Sequence, residues 1–227
     1  MPIKKAAGRP RRLPPADACR LMALQAGAQV FAADGLHAAT MDQIAAAAGY
    51  AKPILYRYFR SKDELFRAVI ETECERLVQH LFAAYARADQ GSLFEQFRQG
   101  AVAIADYAEN HPEAFRLLFL TGSHRSSTVA ASRDAAQARV VERVAQSFRR
   151  ELKRLGRAHG QVAEILASMV VGLYVGVVQQ MAASPRWDRQ AVIDLIATFL
   201  YAGSTGVPPE VLKGADRPLR GRPAVKR

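Results

Sequence analysis

The chain has 227 residues, half of them hydrophobic and 23% charged, which fits a soluble globular protein with material for a core and argues against a fibrous or disordered chain. The formal net charge of +11 is carried by the two ends: Lys4, Lys5, Arg9, Arg11 and Arg12 at one, and Lys213, Arg217, Arg220, Arg222, Lys226 and Arg227 at the other, with a nearly neutral body between. Cys19 and Cys74 are the only cysteines, too few for a disulfide framework or a zinc site, so a reducing cytoplasm is the expected compartment.

Residues 1–15 end in Pro14-Pro15 and read as a disordered basic arm; no apolar run suggests a secretion signal. Short basic arms suit a polyanionic partner, nucleic acid first, although basic tails also serve solubility alone. Asp17 is a candidate N-cap for a helix to about Asp34, with Leu21, Leu24, Ala28 and Phe31 on one face and Gly35 as its stop. Thr40-Met41-Asp42-Gln43 has the capping-box pattern and opens a short helix with apolar positions Met41, Ile44, Ala45 and Ala48, ended by Gly49. After Tyr50 and Ala51, Lys52-Pro53 begins a helix of two turns to Tyr58 or Phe59, proline being tolerated where its missing N–H costs nothing.

Ser61-Lys62-Asp63-Glu64 is a second capping box and launches a long helix over 62–86. Gly91-Ser92 starts a helix to about Asn110, and His111-Pro112 starts another. Residues 121–132 read as a mobile loop, 134–155 as a helix, Gly156 to Gly160 as a break, and 161–183 as an uncharged helix stopped by Ser184-Pro185. Asp188 caps a last helix to about Tyr201, and 203–227 read as a flexible basic tail. No strand pattern and no internal repeat is visible. The expected fold is all-α.

The segment 40–59 is two short helices joined by a glycine-containing turn, a helix-turn-helix. In such a unit the second helix lies in the major groove and presents its first residues to base edges. Lys52 can reach guanine O6/N7 or a phosphate, the Pro53 ring can meet a thymine methyl, and the hydroxyls of Tyr56 and Tyr58 can bind phosphate oxygens. Ile44, Leu55 and Phe59 read as packing between the helices.

Two blocks are more specific than any single motif: G-x-x-A-T-x-x-x-I-A-x-x-A-G from Gly35 to Gly49, with one extra residue before Ala39, and L-Y-x-Y-F-x-S-K-x-x-L from Leu55 to Leu65. Across residues 16–70 the sequence resembles the DNA-binding domain of the TetR family of bacterial transcriptional regulators. It departs at Pro53, where many members have glycine, so Lys52-Pro53-Ile54 is expected to set operator preference. The resemblance implies a phosphate contact at Thr40, base contacts from Tyr50, Lys52, Pro53 and Ile54, and backbone contacts from Tyr56 and Lys62, with Tyr58 divided between core and DNA. Lys62 also reads as an ordinary solvated lysine, and Arg57 and Arg60 stay ambiguous. It further implies a DNA-binding domain over 16–62, an effector-binding and dimerisation domain over 63–202, and a function as repressor.

In the second half, Ser168, Gly172 and Gly176 recur every four residues and place small side chains on one helix face, where another helix can approach closely. With Val192, Leu195, Ile196 and Phe199 of the last helix they suggest a four-helix homodimer interface, suited to a palindromic double-stranded operator. The family resemblance implies the same and adds a small-molecule effector site within the bundle. Tyr107, His111, Phe119, Met169 and Tyr174 are its candidate lining, each of which also reads as simple core. A small apolar or aromatic effector is expected to shift the dimer between DNA-competent and incompetent states.

Other classes are weaker readings. No P-loop, H-E-x-x-H, C-x-x-C or G-x-S-x-G motif is present, and the five histidines show no metal spacing, so neither an enzyme, a metal nor a cofactor is expected. Residues 165–185 carry no charge, but Ser168, Gln179, Gln180 and Ser184 favour a buried helix over a membrane span. A DNA-binding regulator controlled by a protein partner, or acting as an activator, is the alternative.

Overall fold

The computed structural model describes residues 16–88, 91–120, 127–154, 156, 160–183 and 188–215, and every described element is helical. The basic arm, the residues at 121–126 and 184–187, and the end of the basic tail lie outside the described residues. The chain divides into two compact units between Val69 and Ile70.

The first unit begins with α1 (Ala16–Ala38), whose regular helix breaks at Gly35 (φ 75°, ψ 169°), a conformation open mainly to glycine. Asp17 is not the N-cap expected; it lies inside the first turn, where its carboxylate meets the helix dipole. Ala23, Leu24, Ala28 and Phe31 are buried, whereas Leu21, a turn nearer the start, is half exposed. α2 (Met41–Ala48) buries the four expected residues, Met41, Ile44, Ala45 and Ala48, and ends on Gly49 in the left-handed region (φ 72°). α3 (Lys52–Tyr56) is shorter than expected, although turns from Leu55 carry the chain on to Phe59. α4 (Lys62–Ala88) then supplies Leu65, Phe66 and Val69 to this unit's core, with Phe66 edge-on to Phe31 at 4.9 Å between ring centres. Gly27 permits this approach of α1 and α4, since a Cβ there would lie 3.1 Å from Val69 Cγ2.

The second unit takes the rest of α4 and adds α5 (Leu93–Asn110), α6 (Pro112–Phe115), a π-helical turn (Arg116–Leu120), α7 (Ser127–Arg154), α8 (Gly160–Ala183), α9 (Arg189–Gly206) and α10 (Pro209–Ala215). Ser92 and Asp188 cap α5 and α9 through their side chains, at 3.2 Å to Glu95 N and 2.7 Å to Ala191 N. α7 packs along α8, and α5 along α9. Arg189 ties the start of α9 to Asp106 and Glu109 of α5. Two expectations fail here. Residues 127–132 belong to α7 and not to a loop, and 209–215 form α10, whose Leu212 is buried, instead of flexible tail. Ser and Thr around the first segment, and Gly, Pro and basic residues around the second, suggested loop and tail, but tertiary packing overrides weak propensity.

The segment Gln161–Met181 of α8 is long and apolar enough, by length and composition alone, to cross a membrane, with a mean hydropathy of 1.8, yet only 39% of it is buried. Its exposed side carries Ile165, Ser168, Met169, Gly172 and Gly176, and a Cβ at either glycine would meet nothing within 4 Å. On α9, Leu195 (67% exposed) and Phe199 (64%) also face outward, Val192 is half-buried, and Ile196 turns inward.

Candidate nucleic-acid interface and effector cavity

Local rules position the helix-turn-helix. Thr40 Oγ1 accepts from Gln43 N at 3.2 Å, and Gln43 Oε1 accepts in return from Thr40 N at 2.8 Å, closing the capping box. Gln43 Nε2 also donates to Asp34 Oδ2 at 3.1 Å, fastening α2 to the end of α1. After Gly49, Ala51 is an extended N-cap without a side-chain bond, and Pro53 sits in the first turn of α3. The outcome is a helix whose start, Lys52 and Pro53, is exposed while Leu55 and Phe59 are sealed inside. At the far side, Ser61 Oγ accepts from Glu64 N at 3.1 Å, while the Glu64 carboxylate accepts from Arg60 N at 2.7 Å. That second capping box is shifted by one residue from the expected form.

The sequence-expected DNA residues do not all stand free. Lys52 Nζ is paired with Asp42 at 2.8 Å, and that carboxylate holds the ammonium above its ordinary pKa through hydrogen bonding and charge. Tyr56 is exposed, Ile54 and Tyr58 are half-buried, and Thr40 is exposed with its hydroxyl already in the cap. Tyr50 donates its hydroxyl to Met22 Sδ at 3.2 Å. Lys62 corrects the reading of a solvated lysine: its ammonium donates to His37 O at 3.0 Å and Ala39 O at 2.8 Å. It satisfies carbonyls left open where α1 breaks, an interaction that helix C-termini favour.

The second unit holds a partly open cavity of about 280 Å³, just below the ~300–1,000 Å³ typical of small-molecule sites. From α4 come Cys74, Leu77, Val78, Leu81 and Tyr85; Leu118 and Phe119 come from the π turn. α7 contributes Arg133, Ala136, Gln137 and Val140, and α8 contributes Val171, Tyr174 and Gln179 together with Gly172 and Gly176. Tyr174 donates to Phe97 O at 2.6 Å, and Gln179 donates to the Phe119 carbonyl at 2.9 Å, satisfying backbone in the π turn. Burial pushes the Cys74 thiol up to about 11 and raises both Tyr85 and Tyr174. Gly100 backs the wall: a Cβ there would come within 2.9 Å of Tyr85 Oη and 3.0 Å of Tyr174 Oη.

Of the expected lining residues, Phe119 and Tyr174 face this cavity and three do not. Tyr107 is fully buried beside it, donating to Glu73 O at 3.3 Å, with its ring 4.9 Å from that of His111. Burial raises the Glu73 carboxyl, opposed by Arg76 and His111. Met169 is 65% exposed on the outer side of α8. Five residues from Tyr174, it stands about 140° round the helix and cannot share its face. Arg133 and Gln137 were not among the expected lining: Arg133 stands one residue before the helix expected over 134–155, and Gln137 lies within that helix with nothing in its polar side chain to mark an apolar cavity.

A capped helix, a glycine turn and a proline-started helix with an exposed first turn, joined to an all-helical unit around an apolar cavity, define a helix-turn-helix transcriptional regulator. The family model described as "Bacterial regulatory proteins, tetR family" matches residues 23–69. A TetR-like transcriptional regulator from Rhodococcus sp. RHA1 is 30% identical, with 86% of this chain and 100% of that chain covered and a TM-score of 0.66. The HTH-type transcriptional activator FasR of Mycolicibacterium smegmatis is 29% identical over 201 residues, 86% of each chain. FadR of Bacillus subtilis, solved in complex with stearoyl-CoA, shares the fold at a TM-score of 0.68 and 14% identity, covering 81% of this chain and 98% of that one. The chain belongs to the TetR family, and it is a DNA-binding transcriptional regulator and not an enzyme.

Proposed function

We propose that this regulator binds a palindromic operator as a homodimer and is released from it by a small apolar effector held in the cavity of its second unit. The observation that carries the DNA reading is the exposed first turn of α3, with Lys52 and Pro53 on top of a sealed core of Leu55 and Phe59. Lys52, Pro53, Ile54 and Tyr50 read bases; Thr40 and Tyr56 hold phosphates, and Tyr58 joins them from its half-buried position. Lys62 acts chiefly by fastening the turn before α2, and offers its remaining N–H to the backbone.

The exposed apolar faces of α8 and α9 support the dimer, with Ser168, Gly172, Gly176, Val192, Leu195 and Phe199 in the seam; an unpartnered apolar surface of this kind is unusual for a monomer. Met169 belongs to the same face. The stearoyl-CoA bound by FadR supports an apolar occupant for the cavity. α4 is the natural carrier of the signal, since Leu65, Phe66 and Val69 belong to the DNA-binding core while Cys74 to Tyr85 line the cavity. Coupling of this sort is worth about 1–3 kcal/mol, or roughly 5–150-fold in operator affinity. The bound dimer represses where its operator overlaps a promoter and activates where the operator lies upstream, and relatives of both kinds are known, the activator FasR among them.

Footprinting on the DNA flanking the protein's own gene, at ~0.15 M salt where counterion release has weakened non-specific contacts, tests the reading. A palindromic, competitor-resistant footprint weakened by Lys52→Ala and by Tyr56→Phe supports it. Binding that competitor DNA abolishes, and that Lys52→Ala leaves alone, sinks it.

A further inference from the structure

The cavity wall is mostly apolar; its polar side chains are Cys74, Tyr85, Arg133, Gln137, Tyr174 and Gln179. Tyr174 and Gln179 are lining residues with polar ends, but both are already bonded to backbone carbonyls. Arg133 and Gln137, one turn apart on α7, also line it, and among the described residues neither side chain makes a hydrogen bond or an ion pair. Arg133 is the exception on its own helix. Arg139 pairs with Glu75, Arg149 with Glu142 and Glu164, and Arg154 with Glu151. Arg150 donates to Ser147, and Arg143 lies over the Tyr85 ring. No carboxylate lines the cavity. The Arg133 charge is felt at the Cys74 thiol on the opposite wall, where it opposes the effect of burial.

A half-buried guanidinium facing an apolar space without a counter-charge is costly unless an anion joins it. Its planar fork of donors matches the oxygens of a carboxylate or phosphate. We propose that the effector is an amphipathic anion: an apolar chain fills the space between α4, the π turn and α8, and a terminal anionic group takes two hydrogen bonds from the Arg133 guanidinium and one from the Gln137 carboxamide. This rests on the cavity being the effector site and adds the chemistry of the occupant's head.

Calorimetric titration of the full-length protein with decanoate, decyl phosphate and 1-decanol tests it, on wild type, Arg133→Gln and Arg133→Lys, with thermal melts to show that each variant folds. The expected result is that at least one anion binds wild type about tenfold to a hundredfold more tightly than the alcohol. Arg133→Gln should erase that preference, and Arg133→Lys should keep part of it. The anion that binds more tightly identifies the head as carboxylate or phosphate. Equal binding of the acid, phosphate and alcohol, or a preference for anions that survives Arg133→Gln, overturns the proposal while leaving the cavity as effector site. Binding of none of the three probes removes the effector reading of the cavity and this proposal with it.

Discussion

The two units differ in how far their glycines serve their own fold. In the DNA-binding unit Gly35 and Gly49 sit at positive φ and Gly27 sits where two helices close up, so each is required by conformation or by space. In the second unit Gly156 is likewise at positive φ and Gly100 is pressed by two tyrosine hydroxyls, but Gly172 and Gly176 lie in regular helix, with open space where a side chain would go. The first set serves the chain's own fold. The second set leaves the fold no tighter and is useful only to something outside the chain or inside the cavity. One unit is thus closed by local rules, and the other is left deliberately open.

Core truncation gives the largest contrast. Phe66→Ala should cost about 3–5 kcal/mol, because a fully buried ring packed edge-on against Phe31 leaves a void that its neighbours cannot fill. Leu81→Ala, on the cavity wall, should fall at the lower end, near ~2 kcal/mol, since the space beside it is already unfilled. Denaturant midpoints of the two variants measure the gap, and equal losses would show that the cavity wall is packed as tightly as the DNA-binding core.

The thiol in that wall gives a pH test. In the unfolded chain Cys74 ionises near 9.0, and in the folded chain near 11, because burial opposes the thiolate. Over that window the folded state holds more protons, so the contribution is intact below pH 9 and is lost as pH rises towards 11, by at most about 2–3 kcal/mol. Cys74→Ala should flatten this alkaline loss, read as the difference between the two proteins' unfolding free energies at pH 8 and pH 10.5. Parallel curves would mean that the thiol is solvated in the folded protein.

The glycines themselves sharpen the contrast directly. Gly49→Ala should destabilise by roughly 1–2 kcal/mol, since it forces a left-handed residue to carry a Cβ. Gly172→Ala should leave a single chain unharmed or more stable by up to ~1 kcal/mol through helix propensity, yet raise the dimer dissociation constant in analytical ultracentrifugation. A Gly172→Ala protein that dimerises as well as wild type would take the glycine pair out of the seam. The smallest effect is expected at the Asp42–Lys52 pair, both partners exposed. Asp42→Asn should leave stability almost unchanged, as for other solvent-screened surface pairs, while freeing Lys52 and strengthening operator binding at low salt.

The same division governs how much could be read beforehand. Thr40, Gly49, Ser92 and Asp188 act on neighbours within a few residues, so their caps are visible in sequence, and the helix-turn-helix with them. The blocks from Gly35 to Leu65 carry that domain's chemistry in consecutive positions. The role of Lys62 was not visible, because its partners are carbonyls 23 and 25 residues away. The cavity depends on the rotational phase of five separate segments. A π turn at Arg116–Leu120 shifts that phase without any residue that announces it, and the Ser-rich start of α7 left Arg133 one residue outside the helix expected over 134–155. Met169 was misplaced for the same reason: aromatic and sulfur side chains report apolar character but not the direction they face.

The continuity of α4 has a practical consequence for anyone cutting the protein apart. A recombinant fragment ending at residue 62, where the motif stops, would lack Leu65, Phe66 and Val69 and so lose the ring that Phe31 rests on and the chain that Gly27 makes room for. Such a fragment should be soluble at best as a partly ordered peptide. One carried through the next two turns of helix should hold its core, and would let the operator's half-site be studied as a monomer.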